Sequence, residues 1–355
     1  MYISVVIPIR DGNHTLKRCL ASLKRSSFRN FEVIVVDDCS KEDCSEIVRS
    51  FGFKSIKLNQ PREAEYARNR GAELARGDII VFTDCDMLLQ PDALQKIHDR
   101  FSEDHYAAIS GVCTPETDDK NLAARYKNLW LYYSYTNSPE DFDWFILSIG
   151  AIKRDVFFEL KGFQTSYSTL AGGGDLEFGR RLKEAGYRIL LDTTIQGKHL
   201  KQYTLWSLLR NDYVRSRGWF QFAVGRKVLW YVISKVRIAN IYPCFIISVL
   251  VSLLFLLSLV LSPFFKISLL LAAFFALIYF IVNYRLFRFL RLQAGFGFLL
   301  KAIPLSFIDH LVAGFGVVRG CLGCLGWLTK RLFQKLTFRA DPGKDMCQAS
   351  ERENL

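Results

Sequence analysis

Four groups of polar residues in this chain have types and spacings that could do chemistry. Asp37 and Asp38 follow the β-branched run Val33–Val36. Asp84 and Asp86, separated by Cys85, follow the apolar run Ile79–Phe82. Asp175 and Glu177 come directly after three glycines, Gly172, Gly173 and Gly174, and His199 stands alone in GKHLKQY. Carboxylates at loop positions offer oxygen-only ligands, which suit Mg²⁺ or Mn²⁺, and those ions usually bridge to substrate phosphates. Glycines beside an acid let the backbone come close to whatever the acid meets. Each pattern also has a plain structural use. Asp-x-Asp is a common tripeptide whose acids can cap the helix opened by Pro91. Asp175 can cap a helix over Leu176–Ala185, and a lone histidine is often an ordinary surface residue.

The elements that must position these groups follow from hydrophobic periodicity. Ile3–Ile7 is a strand, followed by a helix with Leu16, Cys19, Leu20 and Leu23 on one face. After Val33–Val36 come a second helix, a brief strand near Ile56, a helix through Ala64–Ala75, the strand Ile79–Phe82 and a helix placing Leu94, Ile97 and Phe101 inward. Strands that are apolar throughout, separated by amphipathic helices, predict an α/β fold with a mostly parallel central sheet covered on both faces. Ligands of such sheets bind beyond the carboxyl ends of the strands, where Asp38, Asp84 and Asp86 fall.

Composition narrows the classes further. The chain has 355 residues, 50% hydrophobic and 14% aromatic, which excludes a disordered protein. Its net charge of +12 is uneven: residues 1–200 carry 27 Lys+Arg against 29 Asp+Glu, and the remainder carries 20 against 6. A near-neutral domain thus precedes a basic, apolar one whose positive charge coincides with long apolar runs. That combination points to a membrane surface and away from nucleic acid. The nine cysteines are odd in number and scattered, which reads as reduced thiols, and the lone pair Cys321-x-x-Cys324 lacks the second pair a zinc site needs. MYISVVIPIRDG has too short an apolar run for a signal peptide, so the N-terminal domain is expected in the cytosol.

From residue 204 to 240 aromatic and basic residues alternate, among them Trp206, Arg210, Arg215, Trp219, Arg226 and Trp230, as in helices that lie in the headgroup layer. Ile241–Ser262 is 22 residues without charge, Ser262-Pro263 breaks it, and Ile267–Asn283 is a second apolar run. Basic residues flank the pair on both outer ends, with only Lys266 in the turn, so 241–283 is predicted to be a transmembrane hairpin with both ends cytoplasmic. Residues 284–340 are read as a basic loop and a re-entrant or third membrane segment. Lys301, Pro304, Asp309, His310 and Arg319 would each be costly at mid-bilayer. The tail, 341–355, is polar.

The blocks SVVIP (4–8), VVDDCS (35–40), ARNRGAELARGD (67–78), FTDCDMLLQPDAL (82–94) and AGGGDLEFGRRL (171–182) occur in an order and at spacings that resemble glycosyltransferase family 2. This resemblance implies the GT-A nucleotide-sugar-binding fold over residues 1–203, and an inverting, divalent-metal-dependent transferase. Pro8 would end the first strand where backbone meets the nucleotide base. Asp38 would accept a hydrogen bond from the base, and Arg68 would approach the nucleotide. Asp84 would lie near ribose or metal, Asp86 would be the metal ligand, and His199 matches a place where related enzymes touch metal or diphosphate. Asp175 would be the general base. The family commonly has Glu-Asp at that place, whereas this chain has Gly174-Asp175, and Glu177 could share the role. The Gln-x-x-Arg-Trp motif of processive members is replaced by Arg215-Ser216-Arg217-Gly218-Trp219, against a polymer-exporting synthase.

The expected donor is a nucleotide sugar, uridine ahead of guanosine. The expected acceptor is a hydroxyl of a lipid-linked glycan at the cytoplasmic leaflet of the cell membrane. Two alternatives stay open: a synthase charging the polyprenyl phosphate itself, and a non-catalytic scaffold that binds nucleotide or lipid.

Overall fold

The computed structural model describes residues 1–103, 105–165, 173–225 and 243–339. Its strands are β1 (Ile3–Ile9), β2 (Phe31–Asp37), β3 (Lys54–Lys57), β4 (Ile79–Thr83), β5 (Met87–Leu89), β6 (Ala108–Cys113), β7 (Asp141–Phe142), β8 (Ile149–Lys153) and β9 (Ile189–His199). They form one sheet in the order β3-β2-β1-β4-β8-β6-β9-β5, with β7 also on β9. β3, β2, β1 and β4 are mutually parallel, as are β6 and β9, while β8, β5 and β7 run antiparallel to their neighbours. The helices packed on this sheet half are α1 (Asn13–Lys24), α2 (Ser45–Ser50), α3 (Ala64–Leu74), α4 (Ala93–Ser102), α5 (Leu122–Thr136), α6 (Arg154–Glu159) and α7 (Gly173–Glu184).

The continuous apolar runs follow from burial on both faces. Ile3, Val5, Ile7, Val33, Val35, Ile79 and Val81 enter one core with Leu16 and Leu20 of α1 and Leu94 and Ile97 of α4. Their neighbours Val6, Ile34, Val36, Ile80 and Phe82 point the other way, into a second core with Ala67 of α3 and Phe178 and Leu182 of α7.

Four further helices follow among the described residues: α8 (Leu205–Gly225), α9 (Pro243–Leu261), α10 (Ile267–Ala294) and α11 (Phe296–Arg339). By length and composition, α9, α10 and the Phe296–Cys324 part of α11 could each cross a membrane. At about 1.5 Å per residue, the 19 residues of α9 extend about 28 Å, close to a hydrocarbon core. A third core joins them to the sheet half, through Tyr126 and Trp130 of α5, Leu208 of α8, Tyr279 and Leu290 of α10, and Ala302 and Leu305 of α11.

Two expectations for this region need correction. No basic loop begins at 284, because α10 continues to Ala294 with Arg285, Arg288 and Arg291 along one exposed face. It stops at Gly295, whose φ of 87° only glycine adopts freely and whose N–H reaches the Arg291 carbonyl at 2.9 Å. Of the two readings of 296–328, the re-entrant one is not met, since α11 is helical throughout, Pro304 included, and its Phe296–Cys324 part is long and apolar enough for the other, a third membrane segment. Asp309 and His310, which looked costly in lipid, face protein: Tyr126 Oη lies 3.5 Å from Asp309 Oδ2, and Tyr279 Oη lies 2.9 Å from His310 Nδ1. Of the interfacial segment read at 204–240, α8 is described; residues 226–242 and the tail lie outside the described residues.

Candidate active site

Parallel pairing brings the carboxyl ends of β2, β1 and β4 to one edge, so Asp38 and Asp84 flank the end of β1. Pro8 does not end β1, which runs on to Ile9 opposite Asp37. The ladder with β4 stops at Val6, and a residue without an N–H is tolerated just past that point. Asp38 is buried, and its two oxygens accept the backbone N–H groups of Arg62 (2.7 Å) and Glu63 (3.1 Å). It thereby clamps the start of α3, where Glu63 holds a φ of 77°. Arg10 Nη1 lies 3.8 Å away. Helix α3 carries the next contact: Arg68, 6% exposed, donates from Nη2 to Asp84 Oδ1 at 2.6 Å, and its Nε is buried with no acceptor among the described residues.

The partner of Asp86 comes from a distant part of the chain. Antiparallel pairing of β5 on β9 sets Met87 opposite His199. The Leu200 N–H donates to the Asp86 carbonyl at 2.7 Å, and His199 Nε2 lies 3.2 Å from Asp86 Oδ2. Burial pushes the Asp86 carboxyl up, but the His199 hydrogen bond and the charges of His199 and Lys201 outweigh it and hold its pKa below the usual value. The carboxylate suits Mn²⁺ or Mg²⁺ with further oxygen ligands, and the imidazole beside it is a ligand that Mn²⁺ accepts more readily than the harder Mg²⁺. Asp84 is engaged through Oδ1 by Arg68, which leaves its other oxygen for a ligand. Asp37, Asp43 and Cys44 also converge within 4.8 Å, but Lys57 Nζ, 3.6 Å from Asp37, already balances that cluster.

Asp175 lies in the first turn of α7, which begins at Gly173, earlier than the capping expectation required. Its carboxyl is pushed up to about 6, by burial first and then by the charges of Asp84 and Glu65, against the pull of Arg68 and Arg215. Those four groups place it in the same site as Asp84, facing the residues at the strand ends. Glu177 does not share the base role. It is buried, and Arg181 grips both of its oxygens, Nε to Oε1 at 2.8 Å and Nη2 to Oε2 at 2.9 Å. The same guanidinium donates to the Leu160 and Gly162 carbonyls, so Glu177 and Arg181 fasten α7 to the turn after α6. Asn69, beside Arg68, pins that turn from the other side by exchanging hydrogen bonds with Phe163 (2.8 and 2.9 Å).

Sequence reading missed Glu65, Lys201 and Arg215. Glu65 could have been found from its i, i+3 relation to Arg68 on one helix face; the other two depend on tertiary placement.

The family Glycosyl transferase family 2 matches residues 4–157, the part of the chain holding β1 through β8. Residues 4–157 form a glycosyltransferase family 2 domain. Among curated relatives of this family 2 domain, the amylovoran biosynthesis glycosyltransferase AmsB of Erwinia amylovora is 36% identical over 100 residues, 26% of this chain and 33% of that protein. The O-antigen chain rhamnosyltransferase RfbN of Salmonella typhimurium is 24% identical over 216 residues, 58% of this chain and 68% of that protein. The chain spans between 33% and 40% of the length of the first curated relatives it matches. Among solved structures, the mannosyltransferase PcManGT from Pyrobaculum calidifontis, in complex with GDP-Man and Mn²⁺, superposes with a TM-score of 0.55 at 15% identity, over 91% of this chain and 86% of that one. At that identity the likeness establishes the fold, an α/β domain of the GT-A type followed by apolar helices.

Proposed function

We propose that this chain is a membrane-bound, inverting, divalent-metal-dependent glycosyltransferase that moves a sugar from a nucleotide sugar to a hydroxyl of a lipid-linked glycan at the cytoplasmic leaflet. The observation that carries the reading is the Asp175 carboxyl, raised to about 6 in the site shared with Asp84 and Arg68. A base near that value is largely ionised at neutral pH yet basic enough to take a hydroxyl proton as attack proceeds. The acceptor oxygen forms its bond to the anomeric carbon on the face opposite the departing diphosphate. The anomeric carbon–oxygen bond to phosphate breaks, the electron pair leaves with the diphosphate, and the acceptor proton passes to Asp175. Asp86 and His199 are the side chains that would hold a divalent cation, which supplies positive charge to the leaving diphosphate. Arg68 orients Asp84 and offers a free Nε to an oxygen of the donor or acceptor.

Transfer to the polyprenyl phosphate itself needs no strong base, because that oxygen is already ionised; the raised Asp175 favours the hydroxyl acceptor. Arginines exposed on α10 and the apolar surfaces of α9 to α11 support a cytoplasmic-leaflet setting.

The test is calorimetric titration of detergent-purified full-length protein with UDP and with GDP, each with and without Mn²⁺, alongside Asp86→Asn. Donor turnover is then measured with prenyl-diphosphate-linked mono- and disaccharides and with prenyl phosphate. Metal-dependent binding of one nucleotide, lost in the variant, together with transfer to the glycan hydroxyl, is expected. Transfer to prenyl phosphate alone would move the reading to the synthase. Folded protein that binds neither nucleotide would leave the scaffold.

A further inference from the structure

The surroundings of Gly174 show what replaces a side chain there. A Cβ built on Gly174 would lie 2.6 Å from Glu65 Oε1 and 3.0 Å from Glu65 Cγ, so Glu65 fills the space that a side chain at 174 would need. Glu65 comes from the first turn of α3, three residues before Arg68, on the same helix face. Its charge acts on Asp175, the neighbour of Gly174. Among the described residues no side chain or backbone N–H donates to the Glu65 carboxylate. The buried Arg68 Nε, likewise without a protein acceptor, is a second polar group left over in the same site, and it calls for an oxygen from a ligand. A half-buried carboxylate and a buried N–H, neither with a partner among the described residues, thus share one helix face beside the candidate base and match the donors and acceptors of a sugar's neighbouring hydroxyls.

We infer that Glu65 binds the acceptor sugar, holding the hydroxyl next to the one deprotonated by Asp175, and that Gly174 is the gap that admits it. The inference rests on hydroxyl transfer as proposed above. The plain role for an acid in a helix's first turn is a favourable interaction with the helix dipole. That role involves no contact with α7 and would be indifferent to a change at 174.

The experiment uses full-length protein in detergent and four forms: wild type, Glu65→Gln, Gly174→Ala, and the exchange Glu65→Ala with Gly174→Glu. Initial rates are taken over the donor and over a synthetic prenyl-diphosphate-linked monosaccharide, with nucleotide binding in Mn²⁺ measured in parallel. Losing a hydrogen bond to a charged group predicts that Glu65→Gln raises the acceptor KM by about ten- to a hundredfold. Donor KM and nucleotide affinity should stay within about twofold of wild type. Gly174→Ala, which adds one methyl to a helix and displaces Glu65, should raise the acceptor KM in the same sense by a smaller factor. The exchange, which returns a carboxylate to the gap from the other helix, should recover most of the acceptor affinity. An unchanged acceptor KM in Glu65→Gln, or a rise in donor KM in its place, overturns the inference while leaving the transferase reading intact. A wild-type protein that binds nucleotide and transfers to no glycan hydroxyl overturns both.

Discussion

A carboxyl raised to about 6 exchanges its proton near neutral pH, and two measurable consequences follow for Asp175. The ionised form is the active one, so log kcat/KM should rise with a slope near one up to about pH 6 and level above it. A profile flat from about pH 5 to 8 would remove Asp175 from the base role. Asp175→Asn should lower kcat by about 10²–10⁴. The stability consequence has the opposite sign. The folded pKa lies above the unfolded one, so the native state is penalised where Asp175 is ionised, above about pH 6, and relieved as pH falls toward the unfolded value. Discounting for partial exposure, Asp175→Asn should stabilise the fold by about 1–2 kcal/mol at neutral pH, read as a raised Tm in chelator. Such a trade of stability for chemistry is expected at a working site. Asp38, Asp84, Asp86 and Asp175 could all be picked out by type and spacing. The fate of Glu177 could not, because its i, i+4 partner Arg181 is equally compatible with a solvated pair until the buried turn at 160–162 is seen to take the same guanidinium.

Helices α5, α8 and α11 meet around a buried polar group that the active site does not use. Lys127 of α5 donates to both oxygens of Asp212 of α8, at 2.8 and 2.7 Å, and Tyr126 reaches Asp309 of α11. Burial disfavours the Lys127 ammonium, but Asp212 more than offsets this and keeps it protonated. Lys127→Met would leave Asp212 buried without its cation and should destabilise the protein by about 3–5 kcal/mol. The double change Lys127→Met with Asp212→Leu should return much of that loss. A single variant with an unaltered Tm would show the pair to be incidental. Close packing reinforces the same junction: a Cβ on Gly316 of α11 would lie 2.5 Å from the Tyr213 carbonyl oxygen of α8, and backbone cannot move aside as a side chain can. Gly316→Leu should therefore push α11 off α8 and expose the α8 region to limited proteolysis. The strands and early helices were legible because their periodicity is strong and local. The continuation of α10 was not, because Arg285, Arg288 and Arg291 look like a loop's charges until their spacing of three is placed on one exposed helix face. His199 was legible as a candidate only, since its meeting with Asp86 depends on an antiparallel ladder between residues more than a hundred positions apart.

At the scale of the molecule, the family 2 domain and the apolar helices share a core, so the domain rides on the bundle instead of hanging from a linker. The bundle's outward surface, including Leu250, Val260, Leu270, Ile281 and Phe315, is exposed and apolar. That extent of surface belongs against lipid. Full-length protein should consequently stay in the membrane fraction through high-salt and alkaline washes, and release by salt alone would reduce its attachment to surface charge. The uneven charge of the two halves foretold this division. The shared core was hidden, because it is assembled from α5, embedded in the family 2 part of the sequence, and from helices that begin only at Leu205 and beyond. Asp38 gives the site a temporal order as well as a spatial one. Its carboxylate tethers Arg62 and Glu63, the residues that lead into α3, the helix that also presents Glu65 and Arg68. A nucleotide base settling against Asp38 would compete for the oxygens that hold this helix in place. The first substrate to arrive therefore resets the platform on which the second must land. Kinetics should show a compulsory sequence, donor then acceptor, with the free nucleoside diphosphate competing only against the donor.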